Sequence, residues 1–191
     1  MGRYAKDHKQ TTRRRIVEAA GRRLKRDGID GSGVATLMAD AGLTNGAFYA
    51  HFDSKEDLVA STVADQLREQ RERYSTQSLE EIVRDYLSPQ HRDDTEGGCP
   101  SAALLDEIAR SSDAVKRAYT HGQLVIIDDV AARLAPTDPR SAHVQALGAF
   151  ALMVGTLQVS RALADQRLAN EVLEQGIRNA LVLLGADGQD S

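Results

Sequence analysis

Between Val34 and Phe52 the apolar residues are spaced for two helical segments, each too short to be stable alone. Val34, Leu37, Met38 and Ala41 recur at helical intervals, Gly42-Leu43 makes a turn, and Thr44 caps a second segment from Asn45 to about His51. Two short helices meeting at a glycine follow the helix-turn-helix plan, which sets the second helix into the major groove of DNA. Leu37, Met38, Ala41, Leu43 and Phe48 can close a small core under such a turn. The short side chains of Thr44, Asn45, Gly46 and Ala47 let the backbone approach base edges, and amides at a helix start favour phosphate. Helix–glycine–helix turns also occur in all-α proteins that bind no DNA, so spacing alone leaves a purely structural role open.

The rest of the chain reads as helical, with no convincing alternation of a strand. A first helix is expected from Thr11 or Thr12 to Asp27, with Ile16, Ala20 and Leu24 on one face and Gly28 as its terminal glycine. A helix follows Asp53 or Ser54 to about Tyr74, and Ser78 opens another. Residues 88–98 read as a polar loop, Cys99-Pro100 starts a helix to about Arg110, and further helices cover 113–135, 139–165 and 169–184. The expectation is an all-α fold of about nine helices, divided into 1–55 and 56–191.

Charge separates the same two parts. Residues 1–26 carry ten Lys and Arg against two acidic groups, and residues 1–57 still hold +3, whereas the remaining 134 hold −7 of the net −4. That asymmetry suits a first segment that meets a polyanion, or a solvated basic helix with no partner. The single cysteine, Cys99, excludes an intrachain disulfide framework. The basic N-terminus is not followed by an apolar core and does not read as a secretory signal. The longest charge-free run, Ser141 to Ser160, carries His143, Gln145, Thr156 and Gln158 and fits a buried helix better than a membrane span. A soluble, cytoplasmic protein with no membrane partner is expected.

The stretch A-x-A-G-L-T-x-G-x-F-Y-x-H-F-x-S-K-E-x-L, from Ala39 to Leu58, closely resembles the N-terminal domain of the TetR family of transcriptional repressors. The resemblance covers about residues 11–60 and implies an operator-binding homodimer released by a small-molecule effector. It implies that Tyr49 and Lys55 clamp phosphates, that Thr44, Asn45, Ala47 and His51 read bases or flanking phosphates, and that Gly46 lets the recognition helix approach. Arg13 and Arg14 would touch the backbone from the first helix. Ser32-Gly33 departs from the family's frequent Thr-Thr, and Ser32 is left to cap or to donate to phosphate. On spacing, Phe48 and Phe52 are core, with Tyr49 pointing away from them.

A two-fold dimer suits a single helix-turn-helix, because one recognition helix reads few base pairs. The last two helices offer Val144, Leu147, Gly148, Ala151, Leu152, Gly155 and Val159 on one, with Val172, Ile177 and Leu181 on the other. Some of these must serve the intrachain core, and the resemblance implies a four-helix interface. It also implies an effector pocket among the middle helices, for which Val63, Leu67, Leu104, Ile108, Tyr119, Leu124, Met153 and Leu157 are apolar candidates, each more often plain core. Cys99 stands at a helix start, where a thiol gains acidity. It is a candidate pocket residue, to be weighed as an oxidant- or electrophile-sensing thiol against the commoner inert, buried cysteine.

Enzyme readings find no support. The five histidines are scattered, none forms a His-x-x-x-His pair, and no cysteine partner completes a metal site. No cofactor is expected. A helical ligand-binding or carrier protein that does not bind DNA is the alternative of a different class, and it leaves Gly42, Tyr49 and Lys55 unexplained.

Overall fold

The computed structural model describes residues 2–186, with side chains from His8 onward. Among the described residues there are nine α-helices, one 3-10 turn and no strand. The first helix, α1 (Gly2–Asp27), starts well before Thr11 or Thr12. Lys6, Lys9 and Gln10 are good helix formers, so a threonine able to cap does not interrupt the helix. It ends as expected at Gly28, whose φ of +81° is one that side-chain-bearing residues rarely adopt.

Helix α2 (Val34–Asp40) and the 3-10 turn Asn45–Ala50 follow, joined through Gly42 at φ +64°. The second element is thus tighter and shorter than an α-helix. Thr44 stands at its N-cap position, but its side chain makes no capping bond there. Helix α3 (Lys55–Tyr74) is capped by Ser54, which accepts from the Asp57 amide, and α4 (Leu79–Tyr86) opens with a full capping box between Ser78 and Glu81.

The stretch 88–98 is not a plain loop. It contains α5 (Pro89–Asp93), started by Ser88 as cap and Pro89 in the first turn. Arg92 anchors it by donating to the side chain of Asn170, 2.7 Å away in the last helix. Helices α6 (Pro100–Arg110), α7 (Asp113–Leu134), α8 (Pro139–Ala162) and α9 (Gln166–Leu184) complete the chain.

One apolar cluster joins Ile16, Ala20 and Leu24 of α1 to Leu37, Phe48 and Phe52, and continues through Leu58, Val63 and Leu67 of α3 to Leu104 and Ile108 of α6. The core therefore runs across the boundary drawn at residue 55, and α3 belongs to both parts. A second cluster unites α4, α8 and α9, with Tyr74 packed against both. Fully burying an aliphatic or aromatic side chain stabilises by about 1.5–3 kcal/mol, so this shared core holds the N-terminal helices on the larger body. Helix α8 is long and apolar enough to cross a bilayer by length and composition, yet it packs between α7 and α9.

Candidate nucleic-acid interface

The turn Asn45–Ala50 presents one edge to solvent and buries the other. Phe48 is fully buried and stacks on Phe52 at 5.8 Å between centroids, while Tyr49 is 75% exposed. Thr44, Asn45 and Gly46 are exposed, Ala47 is half-buried, and all precede the buried Phe48. Gly46 has no positive φ, and a Cβ built there would meet nothing within 4 Å. Nothing in the fold requires glycine at this position. Its absent side chain keeps the surface open to something outside the chain.

Arg14 is exposed on α1 and pairs with Glu18 at 3.5 Å, a contact of little energy on a solvated surface. Arg13 is committed elsewhere, donating to Ser61 Oγ at 2.8 Å with its guanidinium 4.6 Å above the Phe52 ring. It braces α1 against α3 and covers the aromatic core. His51 is half-buried with no partner for Nδ1. Burial, reinforced by Lys9, Arg13 and His8, lowers its pKa.

Two residues expected to face phosphate are engaged inside the chain. Ser32 is fully buried, and its hydroxyl donates to the Gly28 carbonyl at 2.7 Å. It fastens the α1–α2 turn and neither caps α2, whose N-cap is Gly33, nor reaches a ligand. Lys55 is half-buried and donates through Nζ to the Ile29 carbonyl at 2.6 Å. Helix α6 reaches the same peptide from the other side: Glu107 Oε2 accepts from the amides of Ile29 at 2.6 Å and Asp30 at 3.2 Å. The turn that orients α2 is thus held between a cation of α3 and an anion of α6. Neither contact was readable from spacing, since Lys55 and Glu107 lie 26 and 78 residues from Ile29.

A third fastening comes from Lys25, which is buried and donates to the Gly98 carbonyl at 2.8 Å. Burial lowers its pKa from 10.5 to about 8, partly opposed by Cys99, Asp94 and Glu69 and aided by Arg73. Because the folded value lies below the unfolded one, the unfolded chain binds more protons between pH 8 and 10.5, and stability rises with pH across that window. Below pH 8 the cost of burying the charge is fully present, at most about 3 kcal/mol. Thermal unfolding of the wild type and Lys25→Met from pH 7 to pH 10.5 should therefore give curves that converge or cross as pH rises. Parallel curves would place the lysine in a solvated site.

The apolar pocket candidates have other places. Val63, Leu67, Leu104, Ile108 and Leu157 are fully buried and Tyr119 is half-buried, all as packing residues of the two clusters or their margins. Leu124 is 41% exposed. Met153 touches a small apolar cleft of about 40 Å³, too small for an effector. Cys99 alone of the set lines a larger cavity, and its thiol is buried and donates to Gln70 Oε1 at 3.4 Å. Apolar periodicity locates core, whereas the larger cavities are lined mainly by residues with polar side chains.

On α8, Val144, Leu147, Gly148, Ala151 and Val159 form an exposed stripe, and a Cβ at Gly148 or Gly155 would meet nothing. Leu152 and Gly155 flank it half-buried. On α9, Val172 and Ile177 are half-buried and Leu181 turns into the core, while the exposed apolar residues are Leu168, Val182 and Leu183.

Residues 10–62 match the family described as bacterial regulatory proteins, tetR family. A probable HTH-type transcriptional regulator of Pseudomonas putida, ArpR, is 36% identical over 89 residues, spanning 47% of this chain and 40% of that protein. The HTH-type transcriptional repressor AcnR of Corynebacterium diphtheriae is 26% identical over 132 residues, covering 69% of this chain and 66% of the relative. The chain thus spans less than two thirds of the length of these relatives. A TetR-family transcriptional regulator from Cytophaga hutchinsonii has the same fold at a TM-score of 0.74, covering 96% of this chain and 98% of its own at 18% identity. The family match falls on the segment that holds the Gly42 turn and the open Gly46 edge, and it is this segment that is similar to the tetR family of bacterial regulatory proteins.

Proposed function

We propose that this protein is a cytoplasmic, DNA-binding transcriptional repressor that binds an inverted-repeat operator as a homodimer and leaves it when a small molecule binds. The observation that carries the reading is the edge from Thr44 to Tyr49, where an unhindered glycine and a 75% exposed tyrosine stand on a rigid aromatic base. Thr44, Asn45 and Ala47 meet base edges, Tyr49 and Arg14 meet phosphates, and His51 flanks them. Lys55 reaches phosphate only by leaving the Ile29 carbonyl. The stripe on α8, with Leu168 and Val182 of α9, pairs with its own copy, so that two recognition turns face successive grooves about 34–36 Å apart.

Release follows from two of these fastenings, those made by Lys25 and Glu107. Lys25, Ile29 and Asp30 are attached to residues 98 and 107, which lead into and lie on α6. A ligand that displaces this segment moves the turn that orients α2. Its effect is limited to its differential affinity for the two arrangements, and a shift from 1:99 to 99:1 needs about 5.5 kcal/mol. No enzymatic step is assigned, in keeping with relatives named as regulators.

Competition binding on a set of related operators tests the division of roles. Arg14→Ala should weaken every sequence alike and reduce the salt slope by about one per subunit, the signature of a lost phosphate contact. Asn45→Ala should change the ranking of sequences at one position of each half-site. A uniform loss for Asn45→Ala would remove it from base reading.

A further inference from the structure

A cavity of about 450 Å³ lies among the C-terminal half of α3, helices α4 and α5, and the loop leading to Cys99. That volume lies in the range of small-molecule sites. Its floor holds a buried hydroxyl with only a weak acceptor beside it: Tyr86 is 3% exposed, and its Oη faces the Cys99 sulfur and makes no hydrogen bond to an oxygen or a nitrogen. The groups nearby are already used. His91 Nδ1 lies 2.7 Å from the Tyr86 carbonyl, and its Nε2 accepts from the Cys99 amide at 3.0 Å. That pair of bonds defines a neutral ring protonated on Nδ1, and burial lowers its pKa. The Cys99 thiol donates to Gln70 Oε1, and Gln70 Nε2 donates to the Tyr74 hydroxyl at 2.7 Å. Burial keeps Tyr86 protonated by raising its pKa well above the usual value, so the floor offers an O–H donor.

Three charged residues line the wall. Asp85 accepts from the Gln77 side chain, and Asp94 accepts from the Gly97 amide at 2.8 Å. Arg73 is exposed and, among the described residues, its guanidinium makes neither a hydrogen bond nor an ion pair. The cavity thus combines one buried hydroxyl donor with one uncommitted guanidinium, while both carboxylates are occupied. We propose that it binds a small organic carboxylate, with the anion paired to Arg73 and a neutral oxygen acceptor of the same molecule reaching Tyr86 Oη. This rests on the ligand-responsive reading above and assigns its ligand class.

The same wall leads to the DNA-binding part. Gly97 and Gly98 line the cavity, and the Gly98 carbonyl is the acceptor for Lys25 of α1. A Cβ at Gly98 would lie 2.9 Å from both the Asp94 carbonyl and His91 Nε2, so the strip is packed tightly against the lining. A carboxylate seated there acts on the Lys25 contact through one peptide.

Calorimetric titration of the full chain without DNA tests the assignment, using levulinate and 4-hydroxycinnamate, each beside its neutral primary amide. At least one acid should bind saturably and about tenfold or more tighter than its amide, the scale of one charge-assisted hydrogen bond. Arg73→Ala should abolish that preference and Arg73→Lys should keep most of it. Tyr86→Phe should weaken the acid several-fold while leaving the melting temperature of the free protein nearly unchanged or higher, because the buried hydroxyl it removes has only the weakly accepting Cys99 sulfur beside it. Equal binding of acid and amide, indifference of the acid to Arg73→Ala, or no saturable heat from either acid at millimolar concentration would overturn the proposal. Operator binding, measured separately without carboxylate, reports on the repressor reading alone, so the two can fail independently.

Discussion

Gly46→Leu should leave the free protein as stable as the wild type and remove its affinity for DNA. A Cβ at position 46 meets nothing within 4 Å, and the backbone there is not in the left-handed region. Replacing glycine inside a helical turn also removes unfolded-state entropy, so the melting temperature should hold or rise. On the proposed DNA-facing edge, however, the added side chain would stand where base edges approach. Overpacking a close contact costs about 1–3 kcal/mol, and two half-sites double it, so operator affinity should fall by about a hundredfold or more. Thermal unfolding and fluorescence anisotropy on the same preparation separate the two effects. Unchanged affinity would show that the Thr44–Tyr49 edge does not face DNA.

Ala151→Glu should convert the proposed dimer to monomers of nearly unchanged stability. Ala151 is exposed in the middle of the α8 stripe, between Leu147 and Val159. Across a two-fold axis the new carboxylate meets its own copy or an apolar neighbour, and neither neutralises it. Each monomer keeps one recognition turn and loses the effective concentration that the second half-site contributes. Since linkage raises avidity by about 10²–10⁴, operator affinity should drop by that order. Sedimentation equilibrium at micromolar protein reads the assembly directly. A dimer that persists in Ala151→Glu would assign the exposed stripe to another purpose.

How far these features could be read beforehand depended on the range of the interactions behind them. Gly28 and Gly42 signal their turns because a positive φ is a local demand, and Ser54 and Ser78 signal helix starts because a cap acts within three residues. The split of Phe48 and Phe52 from Tyr49 follows from helical spacing, and the structure buries the first two and exposes the third. Helix α5 was hidden by its polar composition, although Ser88-Pro89 is a helix-start signal; Arg92 is fixed by Asn170 from the far end of the chain.

The intrachain partners of Ser32 and Lys55 are hidden for a related reason. Each was matched to a surface contact by position, whereas the carbonyls of Gly28 and Ile29 take up their donors in the fold. Most of the apolar pocket candidates are core, with Tyr119 half-buried and Leu124 exposed. The larger cavity is lined by Gln70, Arg73, Tyr86 and His91, whose convergence from three helices has no periodic trace in the sequence.

The central claim is that two copies of the Thr44–Tyr49 edge read DNA together. Selection of bound duplexes from a random pool, with purified protein at near-physiological salt, tests it most directly. The account predicts an enriched inverted repeat whose half-sites lie about one helical turn, 34–36 Å, apart. Recovery of no enriched sequence, or of an unpaired half-site, would contradict it.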